Sequence, residues 1–141
     1  MRAFRIVGIL LVAFSAVMAQ QPPQPDPFAG NLFPPELIMQ HQQTIGLGEE
    51  QKNFLKAEVR NAQKQLTELQ WGLQEEVEKL AALMRQDQVD EAQALTQLDK
   101  VLGLEREIKR AHIGLLIRVK NKLTAEQQAR LREIAGKATG K

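Results

Sequence analysis

Residues 55–84 read LKAEVRNAQKQLTELQWGLQEEVEKLAALM, and the spacing within this stretch decides the fold. Leu55, Val59, Ala62, Leu66, Leu69, Leu73, Val77, Leu80 and Met84 recur at intervals of four and three, which is the repeat of one face of an α-helix. Arg60, Lys64, Thr67, Glu68, Gln74, Glu75 and Glu78 fill the other side. A strand would need strict alternation, and the stretch has none. It is a long amphipathic helix of about eight turns.

Toward the C-terminus, Gln86–Val89 form a short polar connector, and Asp90 with Gln93 three residues on has the pattern of a capping box. A third helix is then expected over Glu91–Lys122, with the stripe Leu95, Leu98, Leu102, Glu105, Ile108, His112, Leu115, Val119. Two long helices on so short a connector must fold back as an antiparallel hairpin, about 50 Å long at 1.5 Å per residue. Thr124 opens a fourth helix that is expected to fade near Gly136, leaving 136–141 as a flexible tail. Upstream, a short helix fits Pro35–Ile45, with Leu37, Ile38, His41 and Ile45 on one side and Gly46 as its stop. The folded domain is therefore expected over 36–135, and the fold class is all-α: a long helical hairpin with short flanking helices. One narrow stripe per helix makes a thin core, so a homodimer is the expected remedy.

The chain before this domain has other business. Arg2 and Arg5 precede a 13-residue apolar run, Ile6–Met18, and Val17-Met18-Ala19 offers small residues for cleavage after Ala19. About 20 apolar residues are needed to span a membrane, so residues 1–19 are expected to be a cleaved signal peptide rather than an uncut anchor, and the protein to be exported. Residues 20–35, QQPPQPDPFAGNLFPP, hold all six prolines and are expected to be an extended tether. Phe28, Leu32 and Phe33 lie in it; docking of these side chains on the folded part is the alternative, and a mobile arm is the expectation for them.

Cleavage would leave 17 Lys and Arg against 17 Asp and Glu, because both lost charges are arginines. A neutral chain without a clustered basic excess gives no reason to expect nucleic-acid binding. There is no cysteine or tyrosine, and the one serine, Ser15, leaves with the signal. Nucleophilic catalysis by serine, cysteine or tyrosine therefore has no residue to use. A glycine-rich phosphate loop and HExxH are absent too, and the chain is expected not to be an enzyme.

Leu123-Thr124-Ala125-Glu126-Gln127 matches the LTxxQ motif of the Spy/CpxP-type periplasmic proteins, and Leu47-Gly48-Glu49-Glu50-Gln51 is a second copy with glycine in place of threonine. Both copies open a helix, so Leu47, Gln51, Leu123, Thr124 and Gln127 are expected to act in capping, with Gly48 a looser start because it has no side-chain acceptor. Over Pro35 to about Ala135 the chain resembles this family, which includes periplasmic heavy-metal resistance proteins and metal sensors. The resemblance implies a four-helix protomer pairing into a cradle-like dimer. It implies either ATP-independent binding of unfolded or misfolded envelope proteins, or binding of zinc, nickel or cobalt coupled to a membrane-bound stress sensor. No other cofactor is expected, and an interaction scaffold with neither activity is a further alternative.

His41 and His112 are the only imidazoles. Imidazole and carboxylate suit borderline divalent metals, and the resemblance to the metal sensors places His41, Glu58 and His112 where such ligands fall. Leu37 and Leu116 stand where the sensors carry further ligands. A hairpin folded at residue 88 also sets His112 level with residue 64, about 9 Å along the axis from Glu58. Glu105, two turns before His112 on the same stripe, is a further candidate ligand, though it is expected instead to pair with Lys109 at i+4. Trp71 lies on the polar side of its helix, and Trp71, Arg60, Lys64 and Leu83 are the expected client or dimer surface. Gly72 and Gly103 fall at one level of the hairpin, which suits a close approach.

Overall fold

The structure, a computed structural model, describes residues 27–139. The expected signal peptide, and the tether as far as residue 26, lie outside the described residues. Four helices follow in order: α1 Pro35–Gln40, α2 Glu49–Met84, α3 Glu91–Lys122 and α4 Ala125–Thr139. No strand occurs among the described residues, and α2 and α3 pack along each other as the antiparallel hairpin.

Each helix start has a visible cause. Pro35 occupies the first turn of α1, where its missing N–H costs nothing. Asp90 caps α3 by accepting the Gln93 amide at 3.1 Å, and Lys120 and Lys122 place positive charge on the carbonyl end of α3. α1 is shorter than its apolar spacing predicts. It ends at Gln40, and 41–46 continue as turns. Those turns close as a Schellman motif: the Leu47 amide donates to Gln42 (2.8 Å) and the Gly46 amide to Gln43 (3.2 Å). Gly46 sits at φ 66°, the left-handed conformation such a stop requires. α4 runs past Gly136 to Thr139, longer than expected. A glycine stops a helix by turning left-handed, and Gly136 has no positive φ.

The core lies at one end of the hairpin. Phe33, Ile38, Ile45, Leu47, Leu55, Ala62, Leu115, Val119, Leu123 and Leu131 form one buried cluster. All four helices meet there, so each side chain has neighbours on several sides. The other half is a slender two-helix arm, where Ala94, Gln97 and Val101 are the buried residues of α3. Two stripe expectations fail in this arm. Leu95 and Leu102 are 51% and 49% exposed, because the buried positions are their neighbours one residue earlier. Val77 and Met84 of α2 are exposed as well. A helix facing a single partner buries a strip too narrow for every stripe position.

The tether is also shorter than expected. Phe33 is 1% exposed and belongs to the core, following a turn in which the Phe28 carbonyl accepts from Asn31 and Leu32. Burying a phenylalanine contributes about 1.5–3 kcal/mol, which offsets part of the cost of ordering the residues that carry it. The glycine level in the arm needs no close approach. A Cβ on Gly72 would meet Leu104 at an ordinary 3.7 Å, and one on Gly103 would meet nothing within 4 Å.

Candidate functional site

The two motif copies meet at the core end and cap more than their own helices. In the second copy the Thr124 hydroxyl accepts from the Gln127 amide (3.2 Å), and Gln127 Oε1 accepts from the Thr124 amide (2.9 Å). In the first copy Gln51 Oε1 accepts from the Gly48 amide at 2.9 Å, and glycine offers no hydroxyl for the reciprocal bond. Across the copies, Gln51 Nε2 donates to Gln127 Oε1 (2.8 Å) and Gln127 Nε2 donates to Gln51 Oε1 (3.0 Å). The second N–H of each amide reaches the backbone just before the other motif: Gln51 to the Lys122 carbonyl (2.9 Å) and Gln127 to the Gly46 carbonyl (3.2 Å). The pattern is a local pseudo-twofold, each motif making the other's contacts. Leu47 and Leu123 are both buried beside it, each 6% exposed.

The candidate metal residues are placed differently. His41 is half-buried at the end of α1, its amide donating to Leu37. His112 is exposed on α3 and lines a cleft of about 200 Å³ with Pro34, Pro35, Glu36, Ala62 and Leu66, which bears out its level on the hairpin. Leu37 and Leu116 line an adjoining cleft with His112, so aliphatic carbon stands where further ligands would be needed. Glu58 is engaged elsewhere, accepting from Arg118 Nε at 2.6 Å. Among the described residues no three His, Cys, Asp or Glu side chains are grouped so as to hold a metal. The described donors of one protomer therefore do not fit a resident metal centre. Glu105 is exposed, and no ion pair joins it to Lys109 among the described residues.

The expected contact residues divide between faces. Trp71 is 68% exposed, and Arg60 and Lys64 are exposed on the same outer side of α2. Leu83 is half-buried and turned toward the arm's inner groove, lined also by Asp90, Gln93 and Gln97. Val77, Met84, Val89, Leu95 and Leu102 add exposed apolar surface to the arm.

One clamp in the arm was missed in the reading of the sequence. Gln97, 8% exposed, donates to Glu76 Oε2 (2.6 Å) and to the Glu76 carbonyl (2.9 Å). Lys79 holds the same carboxylate at 2.7 Å and Glu75 at 2.9 Å. The Lys79 ammonium, then the Gln97 amide, hold the Glu76 carboxyl below its ordinary range, while Glu76 and Glu75 raise Lys79. A signal was present: Gln97 interrupts the apolar series Ala94, Val101, and a polar residue there must find a partner.

No helix among the described residues is long and apolar enough to cross a membrane. The profile of a family described as heavy-metal resistance matches residues 3–130. No curated protein and no solved structure matches the chain.

Proposed function

The chain belongs to the heavy-metal resistance family of LTxxQ helical proteins, and from that premise we propose that it is an exported, non-enzymatic protein of the periplasm that answers to a divalent transition metal. The match across residues 3–130 carries this reading. Its span includes both imidazoles, donors that suit zinc, nickel and cobalt. The metal is cargo or signal here, held through His41 and His112 by fewer than three donors of one protomer, since no three are grouped among its described residues. Calorimetric titration with zinc, nickel and cobalt tests this. Weak binding is expected, diminishing as acid protonates imidazole and lost in His41→Ala/His112→Ala. Absence of heat with all three ions, or a tight site surviving the double variant, would overturn it.

A second reading rests on a separate observation, the exposed apolar side chains Trp71, Val77, Met84, Val89, Leu95 and Leu102. Exposed apolar side chains give a partner area to bury. They favour a protein that dimerises and holds unfolded envelope proteins without nucleotide. Suppression of aggregation of a denatured client, reduced in Trp71→Ala and Leu95→Ser, is the expected result. No suppression at stoichiometric amounts would remove it.

A further inference from the structure

Between α1 and the first turns of α2 lies a groove of about 460 Å³, within the usual range of small-molecule sites, about 300–1,000 Å³. Pro35, Met39, Leu55 and Val59 form its floor. Leu55 is 1% exposed and held in the core, so the floor is part of the fold. Lys56 and Arg60 stand at the rim, one helical turn apart and therefore on one side of α2.

Four cations at this end of the hairpin are already paired. Lys52, Lys122, Arg118 and Arg130 each hold a carboxylate within 2.6–2.8 Å. Lys56 and Arg60 make no hydrogen bond or ion pair among the described residues, and Lys56 exerts only a through-space pull on Glu49. Glu36 lines the groove as well, leaving one positive charge in excess over an apolar floor.

We propose that this groove binds an amphipathic anion, an alkyl chain ending in a single carboxylate. The chain would lie on Met39 and Val59, backed by the buried Leu55, with the head between Lys56 and Arg60. An apolar ligand without charge would leave both cations unanswered, and a compact inorganic anion would leave the floor in water. The proposal uses neither histidine and is independent of the metal reading.

Titration of the purified protein with hexanoate, octanoate, decanoate and neutral decanol tests it. One-to-one binding is expected, tightening about fourfold per methylene until the groove is filled. Lys56→Gln/Arg60→Gln, at two exposed positions, is expected to weaken decanoate about three- to tenfold and leave decanol unchanged. Val59→Asp should weaken both ligands, with circular dichroism reporting that the helices persist. Four results would overturn the proposal: no saturable binding, affinity independent of chain length, unchanged decanoate affinity in the Lys56/Arg60 variant, or loss of binding in Trp71→Ala instead.

Discussion

Gln51 and Gln127, separated by 76 residues, hold each other through both ends of their side-chain amides, at 2.8 and 3.0 Å. Each also serves its own helix start and the backbone of the other motif, so neither amide has an unused N–H. Gln127 is 7% exposed, and a buried amide left without its partner costs far more than a solvated one. The motif is thus a pair of helix caps that are bonded to one another.

Gln127→Ala is expected to cost about 2 kcal/mol, from the lost bonds and the orphaned carbonyl and amide groups around it. Gln51→Ala, at a half-buried site, should cost less. The double variant should fall short of the sum of the singles by about 1 kcal/mol, the signature of two residues in direct contact. Urea unfolding measures all three, and strict additivity would show that the pair is not coupled.

Thr124→Ala removes the hydroxyl that accepts from the Gln127 amide, and about 1 kcal/mol of stability should go with it. Gly48→Thr is the reverse experiment. Gly48 has φ −76° and ψ 160°, extended backbone that threonine adopts freely, and an added Cβ would meet nothing nearer than Gln51 Oε1 at 3.7 Å. Stability should hold or rise by a few tenths of a kcal/mol. A clear loss in Gly48→Thr would sink the capping account of the first copy.

Phe33→Ala should cost about 3–5 kcal/mol, since the side chain is 1% exposed and sits among the four helices. Thermal unfolding followed by circular dichroism reads the change. A variant as stable as the parent would return Phe33 to the tether.

Glu58→Ala should cost less than about 1 kcal/mol, because its ion pair with Arg118 is part-exposed, and the cost should shrink in high salt. Metal affinity should not change. A large loss of zinc, nickel or cobalt binding in this variant would restore Glu58 to the metal chemistry.

Acid should loosen the arm. Glu76 has its carboxyl lowered from 4.5 by Lys79 and Gln97, so the folded state favours the charged form. That contribution is full above the unfolded value and lost as pH falls through 4.5 and below. Lys79, raised from 10.5, contributes below that value and stops contributing only in strong base. Hydrogen-exchange protection in residues 70–104, taken relative to the intrinsic rate at each pH, should therefore fall below about pH 4.5, and Glu76→Gln should blunt the dependence. An arm equally protected at pH 3 and pH 7 would contradict this.

Periodicity alone determined that the chain is a helical hairpin. The apolar spacing of residues 55–84 admits one backbone period, and Asp90, Thr124 and Gly46 punctuate the helices where their local chemistry says they should. These are short-range properties, carried by residues within a turn of each other. Which stripe positions become core was decided by tertiary structure. Leu95 and Leu102 match the pattern as well as Leu115 and Val119 do, yet the first two face solvent and the last two are buried, because four helices meet at one end and only two at the other. The same limit hid the candidate sites. The bond between Gln51 and Gln127, the clamp of Gln97 on Glu76 and the capture of Glu58 by Arg118 each join residues on different helices. Spacing along one chain carries no information about which side chain will arrive from another. That depends on register and crossing geometry, which packing sets only once the hairpin has closed.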